Sequence, residues 1–461
     1  MNENSANVLT LGKTPTATVL KLSWPTILEQ IAFTVLNFAD TAMVGVLGAA
    51  YTAAVGITAP VLWLASGIIA AVSVGFSVQV AQYVGAGDME GASKTTAQSL
   101  SISVLSGLLI SVVGLLLSPY LPYWLGAEGE VAVMAGQYFS IMSVSCLFNS
   151  IQINFSAILR CTGDTTPPLV ANSIAIILNI FLNWLFIFPA RTITLFGQSF
   201  SVWGAGMGVA GAALGSAVSI GVAALLLVKP MFSGKRGIKI HTADVLRPHK
   251  GILSRAAELG VPVGLERITL SLGQVVFIRL VSTMGTTAIA AHHLAIQAES
   301  LSYMPSFGFA VAATTLVGQS IGAENRPMAL RFGRIASNIG AIGMALTGVL
   351  LFFFAEPIIG LFTRDQDVIL LGGILLRIVA FAQPAEAFST IYAGALRGAG
   401  DSRWPFYINL IGVWGFRIGL SLIFVFIFHG GLPSLWIAMF CDLTFRGIVC
   451  RKRFLNNILC E

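Results

Sequence analysis

The chain carries one pattern twice, and this duplication limits the folds that are open to it. At an offset of 237 residues, the separation of Pro25 from Pro262, many positions hold the same residue type in both halves. The matching pairs include Glu29 and Glu266, Gly48 and Gly285, Gln82 and Gln319, and the segments 159–164 and 396–401. Repeats of this size inside an apolar chain are typical of secondary transporters, whose substrate cavity lies between the halves.

Composition places the chain in a membrane. Hydrophobic residues make up 56% of it and charged residues 10%, with a mean hydropathy of +0.85; soluble domains carry about 25% charged residues. The apolar runs reach the length of about 20 residues that a spanning helix needs, and they lack the short alternation of a β-barrel. We therefore expect an all-α polytopic membrane protein.

Twelve apolar runs are long enough to span a bilayer, six in each half, so both halves insert in the same sense. The runs lie near residues 20–47, 51–80, 95–118, 131–158, 168–188, 203–228, 256–283, 287–317, 330–355, 367–395, 404–428 and 432–450.

Basic residues indicate the orientation. Twenty of the 26 Lys and Arg residues fall in the two tails or in the loops after even-numbered runs. The positive-inside rule then predicts cytoplasmic termini, and we expect the plasma (inner) membrane. The net charge of +6 follows from this topology and gives no reason to expect nucleic-acid binding. The expected segments are a tail over 1–19, a six-helix bundle over 20–230, a basic linker over 231–252, a second six-helix bundle over 253–450 and a tail over 451–461.

The turn motif Leu-Arg-x-x-Gly-Asp ends one span in each half. It contains Arg160 and Asp164 in the first half and Arg397 and Asp401 in the second. Arg and Asp can pair and cap the helix ends there, while the Gly and a following Pro reverse the chain. We predict structural or hinge roles for these four residues and for Pro25, where the first span can bend.

Several further motifs recur along the chain in a fixed order. They are Ala39-Asp40-Thr41, the repeated turns at 159–164 and 396–401, the Gly-rich segment 206–216, Ala-His-His-Leu-Ala at 291–295 and Leu316–Gln319. Taken together over about residues 20–450, they resemble the MATE family of multidrug and toxic-compound exporters. The resemblance implies twelve helices in two bundles around a V-shaped cavity, with export driven by inward flow of protons or sodium ions.

Asp40 is the strongest candidate for the coupling residue. It lies deep in the first span, and Phe277 takes its place in the second half. A charge at the bilayer centre costs roughly 2.5–3.5 kcal/mol on insertion scales, and burial favours the neutral acid. Such a group can take up a proton on one side and release it on the other. The alternative is an acid that neighbouring polar groups satisfy and that serves packing alone.

Asn179 and Asn183 share one face of the fifth span because they are four residues apart, and the repeat has no polar residue at either position. In the family this face carries an Asn, then an Asp or Asn, close to the first-span acid. Ser216 falls where the family has a hydroxyl. A proton needs one titrating acid, whereas sodium needs several oxygen ligands, so we favour protons. A sodium site at Asp40, Asn179 and Asn183 stays open, as does simple hydrogen bonding between helices.

Further polar and soft side chains are candidates for the substrate cavity: Glu386, Glu266, Glu299, Gln297, Met43 and Met207. Glu386 matches an acidic position of the NorM-like branch, and its repeat counterpart is Asn149. Glu266 is duplicated as Glu29, which favours a structural ion pair as the alternative. Met side chains and a carboxylate suit amphipathic cations.

The sequence therefore predicts a cation-coupled antiporter that exports amphipathic, often cationic, organic compounds by alternating access. We expect a monomer that contacts membrane lipids and needs no cofactor or bound metal beyond its coupling ion, H⁺ or Na⁺. An enzyme is not expected, since no Walker A motif, nucleophile triad or metal-ligand cluster is present. The alternative function is a lipid-linked oligosaccharide flippase, which would need a basic cavity; its support is Arg267, Arg279, Arg377 and Arg417.

Overall fold

A computed structural model describes residues 14–195, 198–232 and 238–460 of the chain. In this part of the chain, eleven helices are long and apolar enough to cross a membrane, or twelve if the bent pair Gln366–Ala380 and Gln383–Gly398 counts as one span. The predicted all-α membrane architecture is therefore confirmed. Residues 1–13 of the expected N-terminal tail, 196–197 of the first bundle, 233–237 of the expected linker and 461 of the C-terminal tail lie outside the described residues.

The first half contains α1 to α7, and α4 is a short turn of helix between two spans. The bounds are α1 Pro15–Gly45, α2 Ala49–Gly85, α3 Met89–Leu117, α4 Leu121–Trp124, α5 Gly129–Cys161, α6 Thr166–Phe186, β1 Pro189–Leu195, β2 Gln198–Ala205 and α7 Gly208–Phe232.

The second half repeats this order after α8, a short helix in the linker. The bounds are α8 Thr242–Leu246, α9 Lys250–Ser282, α10 Thr286–Gly322, α11 Arg326–Phe353, α12 Ala355–Gly360, α13 Gln366–Ala380, α14 Gln383–Gly398, α15 Arg403–Leu410, a π-helical segment Ile411–Leu420, α16 Ser421–Phe426 and α17 Leu432–Cys460.

Three features depart from uniform spanning helices. The antiparallel strands β1 and β2 form a hairpin between α6 and α7, where we expected only a loop. The tenth span bends by 54° between α13 and α14. The eleventh span passes through the π-helical segment, a feature that often marks functional sites. At the termini, α1 begins at Pro15 and α17 continues to Cys460, so both helices extend into the expected tails.

Helix ends show the repeat at the level of the backbone. Asp88 and Asn325 occupy equivalent positions, and each caps the next helix by accepting a hydrogen bond from a backbone N–H three residues on, at 2.8 and 3.1 Å. Gly163 and Gly400 have φ values of 88° and 92° in the two Leu-Arg-x-x-Gly-Asp turns. This left-handed conformation favours glycine, which explains why both halves kept it.

The two ends of the molecule differ. We call the end that contains the α2–α3 turn and the linker around α8 the basic end, and the opposite end, with β1 and β2, the hairpin end. At the basic end the halves exchange a pair of equivalent hydrogen bonds. Gln82 Nε2 donates to the carbonyl oxygen of Gly398 at 3.1 Å, and Gln319 Nε2 donates to that of Cys161 at 2.7 Å.

Small residues let the halves approach closely at this end. A Cβ at Gly85 would overlap the carbonyl oxygen of Gln319, and a Cβ at Gly322 would overlap that of Gln82. Because these contacts also obey the repeat, the closure has an approximate two-fold axis along the bundle. We call the contacts of Gln82, Gln319, Gly85 and Gly322 the basic-end latch.

Contact between the halves extends from the basic end to about the middle of the molecule. The α1–α10 contact includes a hydrogen bond from Thr34 Oγ1 to Met304 Sδ at 2.8 Å. Among the described residues, the hydrogen bonds that join the two bundles lie at this level or nearer the basic end. The cleft between the bundles therefore opens toward the hairpin end.

Candidate functional site

Asp40 lies inside the first bundle, where α1 meets α6 and α7. Its carboxylate Oδ1 accepts a hydrogen bond from Asn183 Nδ2 at 2.8 Å. Asn183 is fully buried and Asn179 is 3% exposed. The structure thus brings together the four residues that we grouped from sequence, Asp40, Asn179, Asn183 and Ser216.

The Asn179 amide connects this group to α7. In one orientation its nitrogen donates to Ser216 Oγ at 2.9 Å, and its oxygen accepts from Asn183 at 2.9 Å. Exchanging oxygen and nitrogen satisfies more partners, because the nitrogen then donates to Asp40 Oδ1 at 3.0 Å and the oxygen accepts from Ser216 N at 3.2 Å and from Ser216 Oγ at 2.9 Å. The exchange gives up the hydrogen bond from Asn183 and leaves the two amide nitrogens 2.9 Å apart. We therefore assign the exchanged orientation, in which two amide donors point at one carboxylate.

Glycine allows the asparagine side chain to sit against α7. A Cβ at Gly215 would overlap Asn183 Oδ1. That oxygen is buried and has no hydrogen-bond partner among the described residues. The Asn183 amide therefore presents its nitrogen to Asp40 and turns its oxygen toward the backbone of α7.

The equivalent place in the second bundle is an aromatic core. Phe277, the counterpart of Asp40, packs on His292 with ring centroids 5.5 Å apart. Trp436 Nε1 donates to His292 Nδ1 at 3.2 Å. Phe416, the counterpart of Asn179, stacks on Phe445 at 4.4 Å. The polar group around Asp40 therefore occurs in one half only.

The duplicated glutamates bind the arginines of the turn motifs. Glu29 accepts from Arg160 at 2.8 Å and also from Asn172. We expected the Arg and Asp of each turn to pair with each other, and this detail was wrong for the arginines, because a glutamate inside the same bundle lies closer.

The second half contains the same arrangement. Both oxygens of Glu266 lie 2.8 Å from Arg397 Nη2, and Asn409 Nδ2 donates to Glu266 Oε1 at 2.7 Å. Asp401 pairs instead with Arg453, at 3.0 Å. The structural alternative that we named for Glu266 therefore has a direct geometric basis, as a tie between α9, α14 and α15.

The sequence analysis missed a buried ion cluster in the second bundle. Asp442 of α17 is fully buried and accepts from Arg417 and Arg446 at 2.8 and 2.7 Å. Arg446 also donates to Asn409 Oδ1 at 2.8 Å. We had counted Arg446 with the tail, but it is buried inside α17. An Asp and an Arg four residues apart within an apolar run was the signal that would have revealed the pair.

Glu299 and Glu386 lie next to this cluster. Glu299 is 6% exposed and accepts from Gln383 Nε2 at 3.4 Å. The oxygen of Gln383 in turn accepts from Ser302 at 2.8 Å. Glu386 is half-buried in the first turn of α14, just after the bend of the tenth span. Gln383 is a further polar residue here that we did not predict.

The remaining predicted residues are spread along the molecule. Met43 lines a recess of about 450 Å³ at the hairpin end, with Ala42, Val46, Trp184, Phe188 and Arg191. Met207 is exposed between β2 and α7, and Gln297 is half-buried on α10. Pro25 lies within the continuous helix α1. In the described part of the chain, no three His, Cys, Asp or Glu residues are grouped as metal ligands.

Comparison with known proteins gives consistent matches over the whole chain. The MatE family model matches residues 25–185 and 262–423, one segment in each half. A probable multidrug resistance protein NorM of Thermotoga maritima is 30% identical over 439 residues, covering 95% of this chain and 92% of the relative. The uncharacterized transporter YisQ of Bacillus subtilis is 27% identical over 452 residues, covering 96% and 95%.

The fold also matches that of solved transporter structures. A multidrug resistance MATE family transporter of the MOP superfamily, solved in its outward-facing conformation, superposes with a TM-score of 0.90. It is 23% identical, and the alignment covers 100% of this chain and 99% of that one. Family model, relatives and fold agree with the resemblance seen in the motifs, and the chain belongs to the MATE family.

Proposed function

We propose that this protein is a multidrug efflux antiporter that exports amphipathic, often cationic, compounds and is driven by protons through Asp40. The observation that carries the proposal is the way Asp40 is held. Among the residues that the structure describes, Asp40 forms hydrogen bonds with amides and no ion pair. The acids Glu29, Glu266 and Asp442 are instead bound by arginines.

This difference decides which acid can exchange a proton. An arginine partner keeps a carboxylate ionised through the whole cycle, because the buried cation would otherwise be left uncompensated. Amide donors stabilise the ionised form more weakly, and burial opposes it. Asp40 is therefore free to change its protonation state, whereas the arginine-bound acids serve as permanent ties.

The amide orientation supports protons over sodium. Asn183 presents a nitrogen to Asp40, and Asn179 does so in the assigned orientation. A sodium ion needs several oxygen ligands around it, so both amides would have to turn over. Turning Asn183 would place its NH₂ group against the α7 backbone at Gly215, where its oxygen now lies.

Proton exchange at Asp40 would drive alternating access. The cleft is open at the hairpin end and closed by the basic-end latch. We propose that the basic end faces the cytoplasm, in line with the distribution of basic residues. Protonation of Asp40 and binding of substrate would then favour opposite states of the two bundles, so that proton entry is exchanged for substrate exit.

Transport in proteoliposomes tests the proposal. Ethidium uptake or release would be followed under an imposed proton gradient and, separately, a sodium gradient, for the wild type and Asp40→Asn. Asp367→Asn is the matched control, since the same change falls on an exposed residue at the start of α13. We expect proton-driven transport by the wild type and by the control, and none by Asp40→Asn.

Two results would contradict the proposal. Transport driven by sodium alone would place a cation at Asp40, Asn179, Asn183 and Ser216 in place of a proton. If neither gradient moves ethidium while the folded protein is present, the drug-exporter assignment fails. The flippase alternative finds less support here, because Arg377 and Arg417 are paired with Glu356 and Asp442.

A further inference from the structure

Two arginines of the second bundle lie near each other without an acid to balance them. Arg334 of α11 and Arg451 of α17 are exposed, and neither forms an ion pair with any acid among the described residues. Both guanidinium groups are close enough to Tyr392 of α14 to act on its hydroxyl group electrostatically. Two cations around one side chain repel each other unless an anion lies between them.

The two arginines border a crevice between α11 and α17. Its floor is α14, which packs along both helices, and Arg451 lies over the ring of Phe388 there, 5.6 Å from the ring centroid. Toward the basic end the crevice is closed, because the ring of Phe454 takes the space that a Cβ at Gly333 would need. Arg334 follows Gly333 directly, and Arg451 precedes Phe454 by three residues. The pair therefore stands at the closed end of the crevice.

Both arginines lie at the height where their spans leave the hydrocarbon. Residues 335–355, which follow Arg334, include no charged residue. The charged residues of α17 that precede Arg451 are Asp442 and Arg446, and both are buried inside the bundle. A long basic side chain at such a helix end reaches the membrane interface. The guanidinium groups therefore lie at the level of the lipid phosphates.

One face of α11 connects this basic place with the hydrocarbon. Exposed residues recur along it at spacings of three and four, which places them on one side of the helix. They are Arg331, Arg334, Asn338, Ile342, Leu346, Val349 and Phe353. The face is polar at the height of the headgroups and apolar below it. A phospholipid that lies along α11 has the same profile.

The repeat shows that this basic place belongs to the second half. The counterpart of Arg334 is Ala97 on α3. The counterpart of Arg331 is Lys94, which pairs with Glu90 at 2.6 Å. At the position equivalent to Glu90, residue 327, the second half has a proline. The first half therefore balances its single lysine from within the chain.

The linker covers the equivalent surface of the first bundle. Gln98 Nε2 of α3 donates to the carbonyl oxygen of Asp244 and, at 2.7 Å, to that of Arg247. The counterpart of Gln98 is Ile335, which has no amide to hold a chain segment in this way. The two arginines of the second bundle are left exposed beside it.

We propose that Arg334 and Arg451 bind the phosphate group of an anionic phospholipid, whose acyl chains lie along the apolar part of the exposed face of α11. Guanidinium groups bind phosphate through paired N–H donors, and basic pockets between spanning helices take anionic headgroups. A zwitterionic lipid carries its own cation and gains less from two arginines. The site lies on the outer surface of the second bundle, away from Asp40, and does not depend on the coupling ion.

Lipid binding measured by native mass spectrometry tests the site. The delipidated protein would be titrated with phosphatidylglycerol and with phosphatidylcholine of the same acyl chains, and each dissociation constant follows from the bound fraction. The test variant is Arg334→Gln/Arg451→Gln, and Arg334→Lys/Arg451→Lys keeps both charges without the paired donors. The control Arg247→Gln/Arg326→Gln removes two charges from exposed residues of the basic end.

We expect Arg334→Gln/Arg451→Gln to weaken binding of phosphatidylglycerol by about tenfold or more. Binding of phosphatidylcholine should stay within about twofold in every variant. The lysine variant should keep part of the preference, and the control should behave as the wild type. Phosphatidylglycerol should also raise the apparent Tm of the wild type and of the control more than that of the glutamine variant, because a ligand of the folded state stabilises it.

Soluble anions separate a lipid site from a phosphate site. Glycerophosphoglycerol and inorganic phosphate carry the anionic group without acyl chains, and we expect neither to displace phosphatidylglycerol at a large excess over the lipid. Displacement by either would assign the arginines to a soluble phosphate compound. An unchanged preference for phosphatidylglycerol in the folded glutamine variant would remove the site. An equal loss in the control would reduce it to a general effect of charge.

Discussion

A carboxylate inside a membrane helix behaves differently according to whether an arginine or an amide holds it. Glu29 and Glu266 sit at equivalent positions and are bound by equivalent arginines. Asp40 is hydrogen-bonded by amides and belongs to the first half only. Its counterpart in the second half is Phe277, which packs on an aromatic core. Selection for a stable bundle explains why the same Glu–Arg ion pair occurs in both halves. A polar group that occurs once needs another explanation, and proton exchange supplies one.

Loss of a duplicated glutamate should destabilise the protein strongly. Glu266→Gln leaves Arg397 in the bundle without a counter-ion, which we expect to cost about 3–5 kcal/mol. Glu258→Gln is the matched control, because its pair with Arg403 is more than half exposed and is worth about 0–1 kcal/mol. Thermal unfolding in detergent measures the difference. Equal apparent Tm values for the two variants would refute the role of Glu266 as a tie.

A second carboxylate beside Asp40 should create a response to sodium. Asn183→Asp would place two acids next to the oxygens of Asn179 and Ser216, and carboxylate oxygens are preferred ligands of hard cations. We expect sodium to drive or inhibit transport at concentrations roughly tenfold or more lower than for the wild type.

The control for this change is Asn172→Asp on the same helix, where Arg160 already supplies a positive charge near Glu29. Sodium titrations of proton-driven ethidium transport compare the two variants. If Asn183→Asp transports normally and responds to sodium no better than Asn172→Asp, the amide orientation is not what excludes the ion.

Spanning helices could be predicted from sequence because each needs only a long apolar run. Their irregularities could not, since they depend on partners far along the chain. The π-helical segment from Ile411 to Leu420 carries Arg417 to Asp442, and nothing in its local composition signals the change of helix type. The hairpin of β1 and β2 pairs two short segments where the sequence predicts a loop between the fifth and sixth spans. The candidate residues around Asp40 were grouped where the repeat fails. Asp442 was missed although Arg446 lies four residues on in the same helix; its other partner, Arg417, comes from the π-helical segment and could not be read from local sequence.

Helices α2 and α10 form the closure at the basic end, and the closure depends on glycine. Each helix ends in a Gln-x-x-Gly motif, and each Gln donates to a carbonyl of the opposite half. The hydrogen bonds are worth about 0.5–1.5 kcal/mol each. The close approach of backbones at Gly85 and Gly322 makes the latch sensitive to a single methyl group.

A methyl group in the latch should open the basic end. Gly85→Ala places a Cβ against the carbonyl oxygen of Gln319, whereas Gly343→Ala on α11 meets no atom within 4 Å. Cys161 is a native reporter, because it is buried in the latch and its Sγ accepts from Thr315 of the other half at 3.8 Å. We expect Cys161 to be alkylated about tenfold faster in Gly85→Ala, as measured by peptide mass spectrometry.

The Gly343→Ala variant should alkylate like the wild type and gain up to about 1 kcal/mol of helix stability. An unchanged rate at Cys161 in Gly85→Ala, with the variant folded, would mean that the basic end adapts to the methyl group by a local shift. The latch would then not control the opening of the halves.

At the scale of the whole molecule, the two bundles are joined less firmly than either is held together. The arginine ties and the Asp442 cluster lie within single bundles. Contacts between the bundles include the latch, a few further hydrogen bonds such as that of Thr34 with Met304, and close approaches of small residues on α2, α9 and α10. A structure built in this way allows the two bundles to move as rigid bodies relative to each other. Repeat transporters alternate access by motions of this kind.

Distances across the cleft should therefore change during the cycle, while distances within a bundle stay constant. Trp124 and Leu361 are exposed at the hairpin end of the first and second bundle, and Leu361 and Phe428 are both in the second. Spin labels at each pair, introduced by cysteine substitution in a background without the native cysteines, report the two distances by pulsed electron resonance.

Between alkaline and acidic pH, the Trp124–Leu361 distribution should shift by several ångströms as protonation of Asp40 changes the balance of states. The Leu361–Phe428 distribution should keep one position, and the addition of Asp40→Asn should abolish the pH dependence of the first pair. A shift within the second bundle as large as that across the cleft would mean that the bundles deform and do not move as two bodies.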